Sequence, residues 1–204
     1  MKILVTGGAG FIGSWLVKEL IKDKNKIIVV DNLNVGKREN VHPNAIFIKG
    51  DIRKNKIFDK FSQIKEVFHL AALTHVADSI EKPKLSFDVN VCGSMNVLEF
   101  CRKNDSKIIF ASSAAVYGNL NKKAEENDFC KPISPYGKYK LFIEEQIKAY
   151  NEFYDIPYTI FRIFNVYGPG ATTGVVKNLV DSVKNNKTFY LYGDGKQKKR
   201  FYFC

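Results

Sequence analysis

Six short apolar runs, each separated from the next by a stretch with helical or loop character, constrain this 204-residue chain more than any other feature. They are KILVT (2–6), KIIVVD (26–31), AIFIKGD (45–51), EVFHLAA (66–72), KIIFASS (107–113) and PYTIFRIFNVYG (157–168). Strands that are apolar on both faces need cover on both sides, which a parallel sheet between two helical layers provides. Helical spacing runs from Phe11 to about Ile21, from Phe87 to Arg102 and from Pro135 to Phe153. Right-handed crossovers then predict a doubly wound α/β fold, with ligand at the carboxyl ends of the strands. Residues 1–168 make one such domain. Beyond Gly168 the pattern loosens into a helix near 175–185 and a strand FYLYGDG (189–195), so 169–204 reads as the start of a second domain.

Between the first strand and the first helix lies VTGGAGFIGS, with Gly7, Gly10 and Gly13. Glycines here let the backbone turn tightly and approach a pyrophosphate, while the helix start offers N–H groups and a partial positive charge. Asp31 ends the second strand, 18 residues past Gly13. A carboxylate there accepts hydrogen bonds from both ribose hydroxyls and repels a 2′-phosphate, favouring NAD over NADP. Lys37 and Arg38 nearby keep NADP open as a lesser alternative. With the glycines as plain turn formers, Asp31 would instead be a helix cap or a surface acid.

A second constellation is SPYGKYKLFIEE (134–145), in which Tyr136 precedes Lys140 by one helical turn. On a helix both side chains face the same way. Taken alone, the pair reads as a surface aromatic beside a surface lysine.

Composition excludes several classes. No apolar run reaches membrane-spanning length. MKILVTGGAG carries one lysine and a short apolar run broken by glycine, unlike a signal peptide, so a cytoplasmic location is expected. Cys92, Cys101, Cys130 and Cys204 lack CxxC spacing, and His42, His69 and His75 are not set out as ligands, so neither a metal site nor a disulfide framework is expected. His69 reads as a core residue and His75 as a loop residue. The net charge of +11 comes from 32 basic residues, only five of them arginine, scattered along the chain. KQKKR (196–200) is the nearest approach to a basic cluster, so nucleic-acid binding is not expected.

The GxxGxxG spacing followed by YxxxK resembles the extended short-chain dehydrogenase/reductases, specifically the NAD-dependent nucleotide-sugar epimerase/dehydratase family. The likeness runs along the chain through TGGAGFIGS, DNLNVGKREN, GDI, HLAA, DVNVCGSMNVLE, SSAAVYG, SPYGKYKLFIE, FRIFNVYGPG and YGDGKQ, in the family's order. It implies a Rossmann-like domain that binds NAD through Gly7, Gly10, Phe11, Ile12, Gly13, Asp31 and Asn32. Asp51 and Ile52 would flank the adenine, Ala71 and Ala72 line the pyrophosphate path, and Asn90 lies near the cofactor. Tyr136 becomes the catalytic acid/base and Lys140 its partner, which also reaches the nicotinamide ribose. Ser113 would bond the reacting oxygen, with Ser112 an ordinary strand-end residue, and Asn165 would contact the diphosphate of a UDP-sugar. A neighbouring ammonium favours the phenolate, so a depressed tyrosine pKa is expected.

Two residues after Ser113 separate reaction types within the resemblance. Dehydratases carry an Asp-Glu pair there, and the related decarboxylases keep an acid. This chain has Ala114 and Ala115, which cannot transfer protons, so it is similar to the UDP-sugar 4-epimerases. THVADSI (74–80) is closer to a dehydratase loop. The family continues past Cys204, and an Arg-Asp-aromatic stretch expected after GDGKQ reads KKRFYFC here. The substrate domain is therefore expected to be incomplete, completed by a second chain or absent. A non-catalytic NAD-binding module, and a dehydratase or reductase of the same superfamily, stand as alternatives. Relatives pair the helices matching 87–102 and 135–153, which implies a homodimer.

Overall fold

The computed structural model describes residues 1–120, 122–190 and 201–204, and the chain divides into two units, Met1–Arg162 and Ile163–Cys204. The first unit is built on β1 (Lys2–Thr6), β2 (Lys26–Asp31), β3 (Ile46–Lys49), β4 (Glu66–His69), β5 (Lys107–Ser113) and β6 (Tyr158–Ile163). They form one sheet in the order β3-β2-β1-β4-β5-β6, with parallel pairing from β3 through β5. The order reverses at β1, which is the doubly wound, Rossmann-like arrangement expected.

Alternate residues of the same strand enter different cores, which is why these strands are apolar without interruption. Ile3 and Val5 of β1 pack with Ile27, Val29 and Val17, the last on α1 (Phe11–Lys22). Leu4 packs on the other face with Ile28, Val30, Val67, Ile108 and Phe110. That face is covered by α4 (Ser94–Asn104), through Val97 and Leu98, and by α5 (Pro135–Tyr154), through Ile143 and Ile147.

Two elements differ from expectation. The helix expected over 87–102 begins earlier and is broken: α2 (Val76–Glu81), α3 (Pro83–Phe87) and a π-helical turn (Asp88–Gly93) precede α4. Pro83 at a helix start restarts the chain after α2, and a wide turn carries Asn90 inward. The long sixth run also divides, since β6 stops at Ile163 and β7 (Asn165–Tyr167) joins another sheet.

In the second unit β7 pairs in parallel with β8 (Phe201–Phe203), and Tyr167 packs edge-on against Phe203 with centroids 5.4 Å apart. α6 (Val175–Lys184) lies where a helix was expected. Residues 189 and 190 of FYLYGDG are not strand; its remainder, and the KQKKR segment, lie outside the described residues. Among the described residues no helix is long and apolar enough to cross a membrane.

Candidate active site

The glycine turn is held by its own backbone. Gly7 has φ +76, and a Cβ there would lie 2.6 Å from the Ala71 amide nitrogen, so only glycine lets the segment after β4 pass. A Cβ on Gly13 would lie 2.2 Å from the Gly7 carbonyl oxygen, so this glycine lets α1 start directly against the turn. Gly10 is the N-cap of α1 and brings no side chain to the helix start. The first-turn amides of Phe11, Ile12 and Gly13 have no partner within the helix, as at any helix start, and they form a set of donors suited to an anion.

Asp31 is buried, and both of its carboxylate oxygens accept backbone N–H groups: Ala9 at 3.0 Å and Leu33 at 2.8 Å. It is therefore neither a helix cap nor a surface acid. The bond to Ala9 ties the end of β2 to the glycine turn, and each oxygen keeps a further lone pair for a ribose hydroxyl. Ala9 is held from its other side as well, its carbonyl accepting from Lys37 N–H at 3.1 Å and Asn40 Nδ2 at 2.9 Å. Lys37 pairs with Glu39 at 3.5 Å and the Arg38 guanidinium lies over the Phe47 ring at 4.7 Å, so both cations already have partners. A glycine cradle that a Cβ would fill, uncapped helix amides and a fixed carboxylate together fit the pyrophosphate and ribose of NAD.

The remaining cofactor candidates fall into three kinds. Asn32 accepts the Asn34 N–H at 2.9 Å in the turn beyond Asp31. Asp51 is bonded bidentately by Arg53, whose hydrogen bonds hold its carboxyl down at about 2; Ile52 is buried in the core. Ala71 and Ala72 follow β4, and Asn90 spends its amide on the Leu73 backbone, donating to its carbonyl and accepting its N–H, both at 3.0 Å.

Tyr136 and Lys140 share one face of α5 and both are buried, so the surface reading of the pair does not apply. The helix start is placed by three small residues that the sequence reading passed over. Ser134 accepts the Gly137 N–H at 3.1 Å as the N-cap ahead of Pro135. Ser79, from α2, accepts the Tyr136 N–H at 3.2 Å. Gly137 lets α5 close on the turn after β5, since a Cβ there would lie 2.6 Å from the Ala115 oxygen. That turn begins at Ser113, whose oxygen accepts the Ala115 N–H at 3.1 Å and whose hydroxyl lies near enough to Tyr136 to favour its ionised form. Ala114 and Ala115 occupy the turn and bring no proton donor to it.

The electrostatics differ from the expected picture. Burial pushes the Tyr136 phenol upward, and the nearby Ser113 hydroxyl opposes this only in part. Lys140 lies 5.9 Å from the Tyr136 ring centroid, with its ammonium donating to the Ala111 carbonyl at 2.8 Å. Burial draws the lysine down to about 7, opposed by the charge of Glu144. A lysine so close to neutrality is a weak counter-charge, so desolvation governs the phenol.

Glu144, one turn beyond Lys140, is a further residue that the sequence reading missed. It is buried and pairs bidentately with Arg162 of β6, at 2.8 Å for the shortest contact. Arg162 also donates to the Tyr117 hydroxyl at 3.1 Å, and Ser112 donates to Glu144, so Ser112 belongs to this network. The S-P pair could have marked the helix start; nothing local marks the Glu144–Arg162 pairing. Asn165 stands on β7 in the second unit. His69 is in the core, as expected, and His75 precedes α2 as an exposed residue. Among the described residues no three His, Cys, Asp or Glu side chains gather as metal ligands.

A doubly wound sheet, a glycine cradle for a dinucleotide, and a buried Tyr and Lys near a half-buried Ser define a short-chain dehydrogenase type of scaffold. The model of the NAD dependent epimerase/dehydratase family matches residues 3–204, and the chain belongs to that family. It is 43% identical to a putative UDP-glucose 4-epimerase of Methanocaldococcus jannaschii, over 98% of this chain and 69% of that protein. It is 35% identical to the UDP-glucose 4-epimerase of Lactobacillus helveticus, over 95% of this chain and 64% of that protein. Its structure is similar to that of the Thermotoga maritima UDP-glucose 4-epimerase with UDP-glucose, with TM-score 0.96 and 36% identity over 100% of this chain and 69% of that one. The chain thus spans about two thirds of the length of these relatives.

Proposed function

We propose that the chain is the NAD-binding and proton-transfer part of a UDP-sugar 4-epimerase acting on UDP-glucose and UDP-galactose. The observation that carries this reading is Tyr136, buried on α5 next to the turn that Ser113 opens and that Ala114 and Ala115 build. Tyr136 serves as the acid/base group, and the side chains at Ala114 and Ala115 cannot supply the second proton-transfer pair that an elimination needs. NAD bound in this cradle supplies a hydride acceptor and donor. Tyr136 removes the proton of the sugar 4-hydroxyl and returns it. Ser113 holds the reacting oxygen by its hydroxyl, and Lys140 holds the phenol's surroundings polar in an otherwise buried site. Asn165 is proposed to bind the diphosphate.

Incubation with UDP-galactose should give UDP-glucose, with NAD retained and no net NADH formed. Tyr136→Phe should lower turnover by about a hundredfold or more while NAD stays bound. Turnover untouched by that substitution removes the proposed base.

The share of its relatives' length that the chain spans favours a second reading, an NAD-binding module without turnover. Calorimetry separates the two, since NAD binding without UDP-sugar binding supports the module. A homodimer belongs to the same proposal, supported by Phe142 and Phe153 standing exposed on α5 and Phe87 on α3. So does a cytoplasmic location, for which four free cysteines are consistent support.

A further inference from the structure

His69 closes β4 directly beside Thr6, the last residue of β1 before the glycine turn. Its ring is buried, with Nδ1 2.7 Å from Thr6 Oγ1 and Nε2 2.9 Å from Ser94 Oγ. The direction of these bonds follows from what each group can donate. Ser94 has one hydroxyl proton, and it goes to the Asn90 carbonyl at 2.7 Å. Ser94 must therefore accept from His69, which puts the ring proton on Nε2. Nδ1 is then an acceptor, and the Thr6 hydroxyl donates to it. The Thr6 oxygen in turn accepts the Ala71 N–H at 3.4 Å.

The chain of bonds is continuous and of one sense on each side of the ring. Its first end is the Ala71 amide. Its second end is Asn90, whose side chain is bonded twice to Leu73 and once to Ser86. Both ends thus fall on the same three-residue segment, the one that passes 2.6 Å from where a Gly7 Cβ would stand. The imidazole suits this place because it carries an acceptor at one ring nitrogen and a donor at the other. A doubly protonated ring would leave Thr6 without an acceptor for its own proton, in a site closed to water.

We infer that His69 is a positioning residue: a neutral imidazole, protonated at Nε2, that clamps residues 71–73 against the glycine turn and so preforms the wall of the cofactor site. The inference rests on the NAD reading. Burial holds the ring down at about 3, and the charge of Lys140 acts in the same direction. Lys140 is the charged group that bears on it.

Two measurements test this. Nitrogen NMR of the histidine-labelled chain should show His69 as the Nε2–H tautomer, without titration from about pH 5 to about pH 8. An Nδ1–H or charged ring overturns the inference. Calorimetry with NAD should show about tenfold weaker binding for His69→Leu, as expected when buried hydrogen bonds that preform a site are lost. Should that variant fail to fold, Thr6→Val and Ser94→Ala each remove one link, and each should weaken NAD by about threefold to tenfold. Folded variants that bind NAD as the wild type does overturn the inference and leave the cofactor reading intact. Wild-type chain that takes up no NAD overturns that reading, and the inference with it.

Discussion

Gly137 and Ala115 stand so close that a Cβ on the glycine would lie 2.6 Å from the alanine's carbonyl oxygen. The contact is backbone against helix, and neither side can swing away. It sets how near the first turn of α5, which carries Tyr136, comes to the turn that opens at Ser113. Gly137→Ala should therefore lower stability by about 1–3 kcal/mol, the range for overpacking a tight site. It should also reduce epimerase turnover more than NAD affinity. Urea unfolding and a comparison of turnover with NAD titration check both parts.

Lys140 makes stability depend on pH in a definite sense. Its folded pKa is about 7 against 10.5 for the unfolded chain. Between those values only the unfolded state holds the proton, so stability rises with pH across the window and is lost as pH falls through about 7. Tyr136 acts the other way at higher pH, since its raised folded pKa withdraws stability as pH rises beyond 10.0. Lys140→Met should flatten the rise and gain most over the wild type at about pH 6. Urea midpoints measured across the window give the comparison.

Asp31 carries two backbone bonds as well as the proposed ribose contact. Asp31→Asn puts an NH2 group against one of the two N–H donors, Ala9 or Leu33. We expect a loss of about 1–3 kcal/mol in stability from the donor left unpaired. NAD binding should weaken, and the preference for NAD over NADP should shrink with the charge. Parallel titrations with the two dinucleotides read out the ratio.

The Glu144–Arg162 pair is buried on the glutamate side and ordered by Ser112 and Tyr117. Removing one member leaves a charge without its partner, so Glu144→Gln should cost about 3–5 kcal/mol by urea unfolding. It should also draw the Lys140 pKa further down, because the glutamate is the group that supports its charge. NMR titration of the Lys140 side chain shows the direction.

The strands, the glycine turn and the Tyr136–Lys140 pair were legible in the sequence because each rests on local spacing. Apolar runs select buried strands, a helix pitch sets residues 136 and 140 on one face, and glycine marks a turn with no room for a side chain. Even the break at Pro83 carries a local signal. The division of the sixth run at Ile163 does not, since strands β6 and β7 are equally apolar in pattern and differ only in which partner pairs with them.

Tertiary structure decided the rest. His69 finds Thr6 across 63 residues and Ser94 across 25, and Glu144 finds Arg162 and Ser112 from different strands. No periodicity encodes such partners, because hydrogen bonds and ion pairs form between whatever groups the packed layers bring together. The upward shift of Tyr136 belongs to the same class. Sequence placed a cation one turn away, but the balance between that charge and the loss of water depends on burial, which only the assembled sheet and helices set.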